Sequence, residues 1–101
     1  MSGDDKLKEN IMRLFHVDRS MVYCETQEEV DEFMDLAEYV GAIWVSGKAP
    51  RDSKYATKSP IVFGNNRGGI HCFYPPYEGD VEKSIPISAF HNYVIAVRNR
   101  R

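Results

Sequence analysis

Between Met21 and Gly47 the spacing of apolar positions switches from strand to helix and back. Met21-Val22-Tyr23-Cys24 is a short run of strand formers. Val30, Phe33, Met34 and Ala37 follow at helical spacing and make one apolar stripe. Ala42-Ile43-Trp44-Val45 is too short and too apolar for a second helix, so it reads as a buried strand that ends at Ser46-Gly47. Both helix ends are written in. Thr26 stands three residues before Glu29, the spacing of a capping box. Its hydroxyl accepts from the Glu29 amide, and the Glu29 carboxylate is expected to reach back to the Thr26 amide. Glu28 and Glu29 place negative charge on the positive end of the helix dipole. Gly41 supplies the left-handed stop.

The same reading extends along the chain. Leu7, Ile11, Leu14 and Phe15 fall on one face of a helix expected over Asp4–Phe15, and His16–Ser20 is the connection. Lys48–Ser59 holds Pro50 and shows no apolar periodicity, so it is expected to be a polar, mobile loop. Pro60-Ile61-Val62-Phe63 and Ile70-His71-Cys72-Phe73-Tyr74 read as the two strands of a hairpin. The turn between them, Gly64-Asn65-Asn66-Arg67-Gly68-Gly69, is rich in residues that accept positive φ. Pro75–Lys83 reads as a second loop, and Ile85 with Ile87 as a short strand. Phe90, Tyr93, Val94 and Val97 predict a C-terminal helix. The sum, over residues 1–101, is a single small α+β domain. It is a mostly antiparallel sheet of four to five strands with one or two helices packed on one face.

Composition agrees with a folded domain: 43% of the 101 residues are hydrophobic and 12% aromatic. No run of about 18 apolar residues exists, so no membrane span is expected. The opening Met1-Ser2-Gly3-Asp4-Asp5 lacks the basic-then-apolar order of a secretory signal. Cys24 and Cys72 are far apart, outside any metal-type spacing, and read as reduced, buried thiols of a cytoplasmic protein.

Charge changes the picture more, because the net charge of -2 conceals a segregation. Seven acids lie between Glu25 and Glu38, with no Lys or Arg from Arg19 to Lys48. With the stripe turned to the core, Glu28, Asp31, Glu32, Asp35 and Glu38 form an acidic face without partners on its own helix. Such a face reads either as ordinary solvated helix surface or as a docking site for a basic protein. A second set combines cations with rings: Trp44, Lys48, Arg51, Lys54, Tyr55, Arg67 and Tyr74, with Tyr77 beyond. Cations beside stackable rings suit a nucleotide or other phosphate-bearing ligand, or a single strand. The ordinary reading is a solvated loop whose tyrosines close the core. Ser46-Gly47-Lys48 is not a phosphate loop, since the pattern Gly-x-x-x-x-Gly-Lys-Ser/Thr is absent.

No catalytic constellation emerges. His16, His71 and His91 are scattered. His71 and Cys72 are neighbours in a predicted strand and point to opposite faces. A Cys24–His71 pair across strands, and a zinc site from His16, Cys24, His71 and Cys72, have no supporting spacing. No catalytic residue, metal or cofactor is assigned. An enzyme built on Cys24 or Cys72 would require a low-pKa thiol.

The segment Val22-Tyr23-Cys24-Glu25-Thr26-Gln27-Glu28-Glu29, then Phe33, then Gly41-Ala42-Ile43-Trp44-Val45-Ser46-Gly47-Lys48, resembles small uncharacterised proteins of bacteriophages and prophages. The resemblance implies a phage origin and an action inside the bacterial host. Small phage proteins of this size commonly bind a host factor, often a defence component, as anti-CRISPR proteins do. A host protein is then the expected partner, with Glu28, Asp31, Glu32, Asp35 and Glu38 as the docking face. A nucleic acid or nucleotide as ligand, and a second copy of the chain as partner, stay open.

Overall fold

The computed structural model describes residues 3–16, 21–66 and 69–100. The connection expected at His16–Ser20 lies, past His16, outside the described residues, as does Arg67. Helix α1 runs over Gly3–His16, strand β1 over Met21–Cys24, helix α2 over Gln27–Val40 and strand β2 over Ile43–Trp44. Two 3-10 turns follow, Pro50–Asp52 and Lys54–Thr57. The hairpin is β3, Ile61–Asn66, and β4, Gly69–Phe73. Helix α3 spans Glu78–Lys83, β5 is Ile85–Pro86, and a 3-10 turn at Ile87–Phe90 leads into α4, His91–Asn99.

The strands form one five-stranded mixed sheet in the order β2-β4-β3-β1-β5. The two longer ladders, β1 with β3 and β3 with β4, are antiparallel. The two edge strands pair in parallel, β2 with β4 and β5 with β1. The expected α+β class and strand count hold. The two strands that flank α2, β1 and β2, are not neighbours: the β3–β4 hairpin lies between them.

Strand alternation divides the sheet into two faces. Val22 pairs with Phe63, Cys24 with Ile61, Phe63 with Cys72 and Trp44 with Ile70. These residues face α2, whose Val30, Phe33, Met34, Leu36 and Ala37 are buried against them. Phe33 stacks on Phe63 with ring centroids 4.3 Å apart, and Trp44 meets Phe63 edge-on at 6.0 Å. Leu7 and Ile11 of α1 and Val94 and Val97 of α4 complete the same cluster. The opposite face carries Met21, Tyr23, Val62, Gly64, His71 and Phe73.

Several expectations need correction. One half of the capping box forms, with the Glu29 amide donating to Thr26 Oγ1 at 3.2 Å. The Glu29 carboxylate, however, accepts from the Glu25 amide at 2.6 Å, not from that of Thr26. Residue 42–45 was expected to be a buried strand. Instead β2 is a two-residue edge strand in which Trp44 is buried and Ile43 is 49% exposed, and Val45 just after it is 58% exposed. Lys48–Ser59 is not a free polar loop: its two turns lie on α2. Pro75–Lys83 is not all loop, because α3 occupies its second half. Strand β3 continues through Asn66, where a turn from Gly64 onward was expected.

Gly41 and Gly69 are required by geometry. Gly41 has φ 73° and caps α2, its amide bonding to Ala37 and Glu38 carbonyls. At Gly69 a Cβ would lie 3.1 Å from the Val45 Cα and 2.7 Å from its Cγ1, so the chain after β2 could not approach β4.

Candidate functional site

The acids of α2 do not form the uniform outward face that their spacing suggested. Asp35 is buried, with 3% of its side chain exposed. Arg51 Nη2 donates to its Oδ1 at 2.7 Å, and Arg98 Nε to its Oδ2 at 2.8 Å. Arg51 also bonds the Glu38 carboxylate, and lies 3.4 Å from both Asp31 Oδ1 and the Asp31 carbonyl. Glu32 is 12% exposed at its side chain and stands 3.9 Å from His91 Nδ1. The absence of basic partners on α2 itself is therefore made good from elsewhere. Arg51 arrives from the first 3-10 turn and Arg98 from α4, which the chain's topology brings to either side of the helix. Hydrogen bonding to Asp35 holds the Arg98 guanidinium above its ordinary range. For Arg51 burial pulls the other way and is outweighed by Glu38 and Asp35.

Of the five acids picked from the sequence, Glu28 and Glu38 are exposed and Asp31 is half-exposed. Glu32 and Asp35 turn inward. Glu25, beside them, is exposed. Arg100 lines a hollow of about 190 Å³ together with Asp35, Glu38, Tyr39 and Val97.

The basic and aromatic set divides as well. Trp44, Tyr55 and Tyr74 form a chain of rings, with centroids 6.1 Å and 6.4 Å apart. Lys54 Nζ lies over the Tyr55 ring at 5.2 Å. Trp44 is buried, and its indole N–H donates to the Pro50 carbonyl at 2.9 Å. Arg51 points away from these rings to α2, and Lys48 is exposed on the turn after β2. Tyr77 is 74% exposed.

On the other sheet face the His71 ring packs against Gly64, where a Cβ would lie 2.6 Å from its Nε2. Its ring meets Phe73 edge-on at 5.4 Å, and its buried Nδ1 has no hydrogen-bond partner. Burial lowers its pKa from 6.5. Cys24 and Cys72 are free thiols. Cys72 is part-buried, not buried as expected. Burial pushes Cys24 far above the ordinary thiol range and Cys72 up to about 11. Cys24 faces α2 and His71 the opposite side, so they do not pair. Among the described residues no group of three His, Cys, Asp or Glu could hold a metal ion. No described helix is long and apolar enough to cross a membrane.

Sequence reasoning missed Arg98 as a partner of Asp35, 63 residues away, because no local spacing encodes that contact. It also missed Gln27, whose amide donates to the Ala56 carbonyl at 2.8 Å. One signal was present: Asp35 lies between Met34 and Leu36, both fully buried. An acid there must either leave the core or be paired. No protein-family model, curated protein or solved structure matches this chain.

Proposed function

We propose that this is a binding protein of phage origin that blocks a host factor in the bacterial cytoplasm, a nucleic-acid-handling defence protein being the target class. One observation carries the reading. Seven acids lie from Glu25 to Glu38, and three arginines, Arg51, Arg98 and Arg100, stand beside them. Set against those three cations, the seven acids leave a formal excess of four negative charges. Glu25, Glu28, Asp31 and Glu38 present it to solvent, and a basic protein surface relieves its self-repulsion. Both sheet edges argue against docking by strand addition. The outward amide of Trp44 is taken by the Lys48 carbonyl at 2.9 Å, and Pro86 on β5 has no amide hydrogen. A partner is thus left with side-chain surfaces.

The test is capture from a host lysate with the native chain beside Glu25→Lys/Glu28→Lys, at low and high salt. The reading expects a basic protein retained by the native chain, weakened by salt and lost with the double reversal. Equal retention by both chains would falsify it. A second reading, nucleotide sequestration, draws on the Trp44–Tyr55–Tyr74 ring chain with Lys54. Arg51 is turned away from that set, so a panel of nucleotides should leave the melting temperature unchanged. A clear upward shift would favour this second reading over the first.

A further inference from the structure

We infer that residues 49–57 form a strap that opens as a unit, with Arg51 as its ionic latch and Trp44 as the group it uncovers. The strap consists of the two 3-10 turns, hinged at Ser53, whose hydroxyl accepts from the Tyr55 amide at 3.2 Å. It lies across α2 and over the end of β2. Only Pro50 and Ala56 are buried, and Ser53 and Tyr55 are so in part. Ala49, Arg51, Asp52, Lys54 and Thr57 are exposed. Two small buried side chains supply little hydrophobic attachment.

Polar contacts do the rest, and they converge at three points. The Trp44 indole holds the Pro50 carbonyl, and the Gln27 amide holds the Ala56 carbonyl. The third point, Arg51, is the strongest in kind. One guanidinium reaches Asp31, the buried Asp35 and Glu38, all on α2. Charge-assisted bonds of this sort exceed neutral ones roughly twofold. The amides that close the two turns, with that of Lys58 at the strap's end, bond to carbonyls of the strap itself: Asp52 to Ala49, Ala56 to Ser53 and Lys58 to Tyr55. No sheet ladder is broken when it lifts. Lifting leaves Asp35 with Arg98 still bound, so the core beneath keeps its buried carboxylate paired. A segment with few buried contacts, self-contained backbone bonds and one dominant ionic tie has the features of a local opening unit. Opening frees the Trp44 indole N–H and its edge, and with them Tyr55.

Trp44 is the only tryptophan, so it reports opening directly. Arg51→Met keeps the apolar stem and removes the latch. Hydrogen exchange at Asp52, Ala56 and Lys58 should then accelerate about tenfold or more, while the β3–β4 ladder amides keep native rates. Trp44 emission should shift to the red and become more accessible to acrylamide. Arg51→Lys, with charge but no fork, should fall between. Unchanged strap amides in Arg51→Met would overturn the inference, and so would acceleration of strap and hairpin amides together. Should Arg51→Met fail to fold, the native chain decides. Raising salt from about 0.05 M to 1 M screens the latch but strengthens apolar burial. Strap exchange should therefore quicken relative to the hairpin; a constant ratio would equally overturn it.

Discussion

Asp35 is buried and His71 half-buried with its Nδ1 out of reach of water, on opposite sides of the sheet, and the fold treats them differently. Asp35, on the helix side, is saturated: each carboxylate oxygen accepts from a different arginine. His71, on the other side, lies on Gly64 with its buried Nδ1 unpartnered and burial holding it toward the neutral form. The difference teaches where the fold spends its polar specificity. Asp35 ties the strap and α4 to α2, so three segments distant in sequence are positioned by one carboxylate. His71 ties nothing; it fills the space that Gly64 leaves.

Removing both arginines is the strongest way to test that contrast. Arg51→Ala/Arg98→Ala removes the two guanidinium groups that donate to the Asp35 carboxylate, whose side chain is 3% exposed. Breaking a buried ion pair by removing one partner costs about 3–5 kcal/mol. Each single variant leaves one arginine in place and should cost well under half of that, so the pair is expected to be non-additive. Urea titrations of the four chains measure it. Additive, small losses would mean that Asp35 finds water as soon as one arginine leaves, and the contrast with His71 would collapse.

Intermediate effects come from less buried polar groups. Thr26→Ala removes an exposed cap whose hydroxyl accepts from Glu29, and should lower stability by about 1 kcal/mol. Replacing His71 works in the opposite direction. His71→Leu deletes an unpartnered buried nitrogen and should be neutral or stabilise by about 1 kcal/mol. The pH dependence has a definite sign. The folded pKa lies below the unfolded 6.5, so below that value the unfolded chain takes up a proton that the folded chain refuses. Native stability is full above about pH 6.5, falls as pH drops toward the folded pKa, and levels off below it. His71→Leu should remove this portion of the acid loss and leave any contributed by other histidines. Identical pH slopes for the two chains would show that the ring at position 71 is as free in the folded state as in the unfolded one.

Local chemistry was legible in the sequence; long-range pairing was not. The Thr26 cap, the Gly41 stop and the apolar stripe of α2 are encoded within one or two turns, and the helix stands where they put it. The hairpin and the α+β class followed from alternation in the same way. What escaped was which elements meet. A two-residue strand such as β2 carries no signal that it will be an edge, so its apolar composition suggested burial that Ile43 and Val45 do not have. The strap looked unstructured because turns held by carbonyls, an indole and a guanidinium leave no hydrophobic period. The acidic face looked unpartnered because its cations come from 16 and 63 residues away.

The smallest expected effect on stability is also the one most tied to the proposed docking. Glu25 and Glu28 are exposed. Neither belongs to the group of acids that hold Arg51. Reversing both should change stability by no more than about 0.5 kcal/mol, because solvated charges contribute little to folding. Reversal brings cations near an acidic helix, which favours folding slightly. It also removes two charges from the favourable end of the α2 dipole, which disfavours it by a similar few tenths. The two contributions oppose each other, so a change near zero is expected in the urea midpoint of Glu25→Lys/Glu28→Lys. A loss as large as that of an arginine variant would place these acids in the internal network with Asp35. Near-native stability with lost partner binding would separate them from it: Asp35 would belong to folding, and Glu25 and Glu28 to recognition.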